Sequence, residues 1–137
     1  MTKHRIPPKP AYFNTVLPGT CRWCNAGISL TPTGRESKAK WHPDCLTEYL
    51  LVTRPSNARR AVWRRDNGLC NTCGAVCSKK GENKWQMDHI IPLINANGEL
   101  KYWMLGNLQT LCNGCHNIKT ALEAGDRARK RKEKKSE

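Results

Sequence analysis

Little in this chain can fill a protein core: it contains a single Phe, aromatics make up only 7% of its 137 residues, and its mean hydropathy is −0.71. That scarcity excludes a large self-sufficient hydrophobic interior and leaves room for one domain or two very small ones. Long apolar runs are missing too, which excludes a membrane-spanning helix. The N-terminal MTKHRIPPKP has no apolar leader stretch, so a reducing, cytoplasmic compartment is expected. Acids are scarce: 11 Asp and Glu stand against 24 Lys and Arg, for a net charge of +13. An excess of this size points to a polyanion, and nucleic acid is the commonest one. The final DRARKRKEKKSE holds seven Lys/Arg against three acids, so most of the excess lies on the rest of the chain.

A core this lean calls for staples, and eight cysteines are present. Residues 1–20 carry four prolines and no periodicity and read as an extended arm. In WHPDCLTEYLLV, Pro43 suits the first turn of a helix over 43–53 and Asp44 complements its dipole. Pro55 breaks that helix, Ser56 is placed to cap a second through SNARRAVWRRDNG, and Gly68 ends it. KWQMDHIIPL reads as a strand, NANGEL as a turn and KYWML as the returning strand of a hairpin. A last helix is expected from about residue 113 to Gly125, with the charge run 126–137 disordered. The domains expected are thus an arm (1–20), a zinc module (21–55), a second domain (56–125) and a basic tail.

The cysteines fall into two sets of close pairs. Cys21 and Cys24 (CRWC) combine with His42 and Cys45 (HPDC), and Cys70 and Cys73 (CNTC) with Cys112 and Cys115 (CNGC). Four soft or borderline ligands in two short pairs match a closed tetrahedral zinc site, where each pair curls round the ion. In the competing reading these are free thiols or disulfides. The first set is similar to treble-clef and LIM-like zinc modules. Cys77 is left over: it could displace Cys73, but CxxC spacing favours Cys70 with Cys73 and leaves Cys77 a free thiol. Closed sites stabilise and do not catalyse, so chemistry must lie elsewhere.

What remains is Asp88, His89 and His116. An ionisable pair in the middle of an apolar run costs several kcal/mol, roughly 2–7 for even a neutral polar group, unless partners are supplied. The clamp between 70–73 and 112–115 would bring His116 to them. A strict strand sends Asp88 and His89 to opposite faces unless it ends or twists there, as Pro92 allows.

MDHIIPL followed by GNLQTLCNGCHNIKT resembles the signature of HNH endonucleases, with His89, Asn107 and His116 on the three letters of that name. The resemblance covers about residues 58–124. It implies a small α+β, zinc-stabilised protein with a ββα-metal core, preceded here by the treble-clef-like finger. It further implies hydrolysis of DNA phosphodiesters, nicking one strand of a duplex and leaving 5′-phosphate and 3′-hydroxyl ends. His89 would be the general base, Asp88 and His116 would hold one divalent ion, Mg²⁺ or Mn²⁺, and Asn107 would bridge backbone groups that orient His89.

Phosphate contacts are expected from Arg59, Arg60, Arg64, Arg65, Lys119 and the tail. No residue set reads base edges. Free-standing proteins of this make-up are often phage-encoded, which implies a possible partner in packaging machinery and none in a membrane. The rival reading is a non-catalytic zinc-stabilised DNA-binding or adaptor protein, and RNA as substrate stays open.

Overall fold

The computed structural model describes residues 7–9, 13, 17–81 and 83–136. The chain runs α1 (Pro43–Thr53), α2 (Pro55–Asp66), β1 (Trp85–His89), β2 (Leu108–Cys112) and α3 (Asn113–Lys135), with three short 3₁₀ turns between the strands. It divides into two compact units: residues 1–61 with 91–107, and residues 62–90 with 108–137. The linear order expected from the sequence is crossed by this division, because the segment between the strands groups with the N-terminal zinc module. No helix among the described residues is long and apolar enough to cross a membrane.

The first unit gathers Phe13, Trp23, Val52, Ala96 and Trp103 into one core, with Trp41, Tyr49, Leu100, Tyr102 and Met104 packed against it. Its rings touch directly, Trp41 and Tyr49 at 4.8 Å and Phe13 and Tyr49 at 5.5 Å between centroids. Much of the expected extended arm lies outside the described residues, but Phe13 is buried and the Arg22 guanidinium sits 4.1 Å from its ring centroid. α1 starts with Pro43 in its first turn, as expected, and ends where Arg54 turns extended ahead of Pro55. Pro55 is itself the first residue of α2, so the expected cap at Ser56 is corrected: the fixed φ of proline suits a first helical position.

KYWML is not a strand. Leu100–Trp103 form a 3₁₀ turn that sends Leu100, Tyr102, Trp103 and Met104 to the same aromatic core, which a strand's strict alternation would not do.

The second unit begins in α2, which ends at Asn67 and Gly68, both with positive φ. The Gly68 N–H donates to Trp63 O at 3.1 Å, and a Cβ there would stand 2.8 Å from the Trp63 ring, so only glycine fits. β1 and β2 form a two-stranded antiparallel sheet in which Trp85 faces Cys112, Asp88 faces Gln109 and His89 faces Leu108. α3 follows directly, completing a ββα order. LQTLC is buried from Leu108 to Leu111, and its backbone is tied to α2: Asp66 accepts from the Thr110 N–H at 2.9 Å, and Arg65 bridges Asp66 and the Leu108 carbonyl. β1 stops at His89, as expected from Pro92.

α3 does not end at Gly125, and residues 126–135 are helical rather than disordered. One glycine costs a helix about 1 kcal/mol, while the surrounding Ala, Glu, Arg and Lys favour it and the pairs Lys119–Glu123 and Asp126–Arg129 lie at helical spacing.

Candidate active site

Two closed clusters hold the framework. Cys21, Cys24, His42 and Cys45 bring their ligand atoms within 4.8 Å of one another, as do Cys70, Cys73, Cys112 and Cys115. Zinc–sulfur bonds of about 2.3 Å in a tetrahedron put ligand atoms roughly 3.5–3.8 Å apart. The chain places Cys73 and Cys112 Sγ 3.9 Å apart and His42 Nδ1 3.3 Å from Cys24 Sγ and 3.7 Å from Cys45 Sγ. His42 Nε2 lies 3.0 Å from the Gly27 carbonyl. With Nε2–H donating there, Nδ1 is left free for the ion, the usual arrangement around a ligating histidine.

Burial pushes the Cys21 and Cys70 thiols up, yet neighbouring backbone N–H groups bring each down to about 6. Cys45 is pushed up to about 12 by burial and its neighbouring sulfurs. Cys115 is pushed equally far, by its hydrogen bond to Cys112 ahead of burial. A dication at each centre relieves that crowding of thiolates, so both donor sets fit zinc. Cys77 lies outside both clusters, buried, with its thiol pushed up by burial and the nearby cysteines.

The open cluster is built on the ββα element. Asp88, 9% exposed, presents its two oxygens differently. Oδ2 accepts from Gln109 Nε2 at 2.9 Å and pairs with Lys119 Nζ at 3.1 Å. Oδ1 faces His116 Nε2 at 4.0 Å, a gap that two metal–ligand bonds of about 2.1 Å each can span. One carboxylate oxygen and one imidazole nitrogen suit a divalent ion and leave its other positions to water and substrate. His116 sits in the first turn of α3, directly after Cys115, and the second cluster thereby delivers it to Asp88. Burial, reinforced by the charge of Lys119 and opposed by Asp88, holds the His89 imidazole below its usual range, which keeps it neutral at neutral pH.

The sequence profile described as HNH endonuclease matches residues 70–122. Residues 70–122 form an HNH endonuclease domain. Among curated proteins, a probable HNH endonuclease of Lactococcus phage SK1 is 40% identical over 67 residues, covering 46% of this chain and 65% of the phage protein. The DNA annealing helicase and endonuclease ZRANB3 of Mus musculus is 44% identical over 125 residues, covering 64% of this chain and 11% of the mouse protein. Its Homo sapiens counterpart is 43% identical over 49 residues, covering 36% of this chain and 4% of the human protein. The chain thus spans less than two thirds of the length of these relatives. No solved structure matches it.

Within the HNH domain and its surroundings the expected site residues fall into three groups. Asp88, His116 and Lys119 come together, with His89 following Asp88 at the end of β1. Asn107, 7% exposed, accepts the Ile91 N–H at 2.9 Å and donates to the carbonyls of Ile91 at 3.0 Å and Tyr102 at 2.9 Å. Its amide thus locks a residue two positions past His89.

The expected phosphate-binding residues are scattered. Arg60 and Arg64 are exposed and Arg59 half-buried. Arg65 is engaged with Asp66 and the Leu108 carbonyl. Lys119 spends its three N–H groups on Asp88, Glu123 and the His89 carbonyl, the last at 3.0 Å. Burial lowers its pKa, but the carboxylates of Glu123 and Asp88 more than reverse this and leave it raised. Gln109 and Glu123 were not singled out from the sequence. Gln109 faces Asp88 across the sheet, and pairing β1 with LQTLC instead of KYWML would have found it.

Proposed function

We propose that the chain is a divalent-metal-dependent DNA endonuclease that hydrolyses phosphodiester bonds and nicks duplex DNA. The observation that carries this reading is the Asp88 carboxylate, held through one oxygen by Gln109 and Lys119 while the other faces His116, with a neutral, half-buried His89 next in the chain. The names of the phage and mouse relatives support the same activity.

Asp88 and His116 would hold the ion, which when bound would supply a positive charge to polarise the scissile phosphate and offset the charge developing in the transition state. His89, neutral, takes the proton from the attacking water, a role worth typically about 10²–10⁴ in rate. Lys119, tied to the His89 carbonyl, and Asn107, tied to Ile91, brace the backbone at His89 and just after it. Such bracing matters because a displacement of about 1 Å at a reacting group costs on the order of 100-fold. The exposed Arg60 and Arg64 and the basic end of α3 supply phosphate contacts that do not depend on sequence.

Relaxation of supercoiled plasmid by purified protein with Mg²⁺ or Mn²⁺ tests this. Wild type converts plasmid to the nicked form, EDTA stops it, and His89→Ala slows it by about 10²–10⁴. Equal nicking by His89→Ala removes that imidazole from the mechanism, and no nicking by wild type with any divalent ion leaves the non-catalytic DNA-binding reading in its place.

A further inference from the structure

Asp88 is connected to the second zinc cluster by a continuous line of side chains. Asn71 lies between the ligands Cys70 and Cys73, and its backbone N–H donates to the Thr110 carbonyl of β2 at 2.8 Å. Its side-chain Nδ2 donates to Gln109 Oε1 at 3.0 Å, and Gln109 Nε2 donates onward to Asp88 Oδ2 at 2.9 Å. Gln109 is 8% exposed and Asp88 9%, so little water competes for the bond between them. The polarity of the line is set from its far end. An amide whose oxygen is occupied by Asn71 can turn only its NH₂ toward Asp88, so the carboxylate meets a donor and not a second acceptor. Each bond also polarises the next, which strengthens the last one where it meets the charge.

We propose that Gln109, oriented by Asn71 of the zinc-binding loop, is a positioning residue that presents the Asp88 carboxylate to the divalent ion. This rests on the reading of Asp88 as a ligand of that ion. Lys119 also bonds Oδ2, but it divides its donors among Asp88, Glu123 and the His89 carbonyl, so it supplies charge without fixing the plane of the carboxylate. Gln109 sits directly opposite Asp88 in the strand register and fixes the rotation of the carboxylate about its own axis. With Oδ2 so engaged, Oδ1 is the oxygen left pointing to His116. The zinc-binding loop thereby acts on the open site as well as on the fold, since any shift of Asn71 is handed through one amide to a ligand.

The test uses the full chain carrying both zinc ions and reads Mn²⁺ binding by electron paramagnetic resonance, beside the Mn²⁺ concentration for half-maximal nicking. Gln109→Met keeps the volume and removes both hydrogen bonds; Asn71→Ala acts on an exposed loop residue that never touches Asp88. Replacing the outer partner of a metal ligand typically costs about 10–100-fold in affinity, so Gln109→Met is expected to weaken Mn²⁺ binding by roughly 10-fold or more. Asn71→Ala shifts it the same way by less, and the double variant is no weaker than Gln109→Met alone, because both act through one line.

Asp88→Asn separates the two levels of the argument. If it abolishes Mn²⁺ binding while Gln109→Met and Asn71→Ala bind as wild type does with zinc content intact, the positioning role is overturned and the ligand reading stands. If Asp88→Asn binds Mn²⁺ normally, or wild type binds none, the ligand reading fails and the proposal falls with it. Should Gln109→Met not fold, Asn71→Ala decides alone: normal Mn²⁺ affinity in that variant overturns the proposal.

Discussion

The two zinc loops are built alike and end differently. In each, the first cysteine pair forms a tight turn closed by the same bonds: Cys21 N–H to Ala26 O and Asn25 N–H to Cys21 O at 2.8 Å in one, Cys70 N–H to Ala75 O and Gly74 N–H to Cys70 O at 2.9 Å in the other. The residue that closes each turn has positive φ, Asn25 in the first and Gly74 in the second. In each the second pair opens a helix, with His42 or Cys112 as N-cap.

What differs is the chain between the pairs. Residues 25–41 make no strand or helix, and the first cluster staples an aromatic core. Residues 74–111 contain β1 and all of β2 but its last residue, the ligand Cys112, so closing the second cluster also aligns Asp88, Gln109 and His116. A closed metal site contributes to chemistry only through what its loop is made to carry.

Breaking one ligand in each cluster tests that contrast with the largest effects. A structural zinc site contributes on the order of 10 kcal/mol, about the whole stability of a small domain. Cys73→Ser is therefore expected to drop zinc content from two ions to one and abolish nicking and Mn²⁺ binding together. Cys24→Ser should lose one zinc as well but keep Mn²⁺ binding, since none of Asn71, Gln109, Asp88 and His116 lies in its unit. Equal loss of Mn²⁺ binding in both variants would refute the contrast.

Next comes Asn107, whose amide holds the backbone of Ile91, two residues past His89. Asn107→Ala leaves the Ile91 and Tyr102 backbone groups without partners, costing about 1–3 kcal/mol, and releases the segment after His89. Nicking should fall by about 100-fold with zinc content unchanged, whereas a thermal shift with full activity would make Asn107 a purely structural residue.

How much of this was legible in advance follows the physics of each segment. The cysteine pairs and α1 could be read because metal spacing and helix starts are local patterns, whereas the ββα order was implied only by the resemblance of MDHIIPL and GNLQTLCNGCHNIKT. The approach of His116 to Asp88 could be read because a clamped loop must bring them together. β2 was misplaced because Gln109 and Thr110 make LQTLC look too polar for a buried strand, while KYWML looks apolar enough. Gln109 is tolerated because Asn71 and Asp88 take up its amide, which no local pattern records. The same misplacement hid Gln109 and its link to the zinc loop.

Asp66 gives a smaller effect with a definite pH signature. Burial raises its carboxyl, but Arg65 and the Thr110 N–H outweigh burial and leave the pKa below its usual value. A depressed carboxylate stabilises the fold above its unfolded pKa of about 3.9, and that contribution is lost as pH falls through the lower folded value. Asp66→Asn should therefore be less stable than wild type near neutral pH by about 1–2 kcal/mol. Urea midpoints of the two should converge in acid, and a gap that persists at low pH would assign the loss to packing instead.

The smallest effect concerns the part of α3 that carries most of its charge. Gly125 is helical and a Cβ there would meet nothing within 4 Å. Gly125→Ala should therefore stabilise the helix by about 1 kcal/mol, seen as higher helical circular dichroism and slower proteolysis beyond residue 125. Because the basic residues from Arg127 onward are already helical in the wild type, nicking at low salt should barely change. A large gain in nicking would instead mean that the extension is mostly unfolded in solution and orders only on DNA, and that the helix past Gly125 depends on the phosphates it binds.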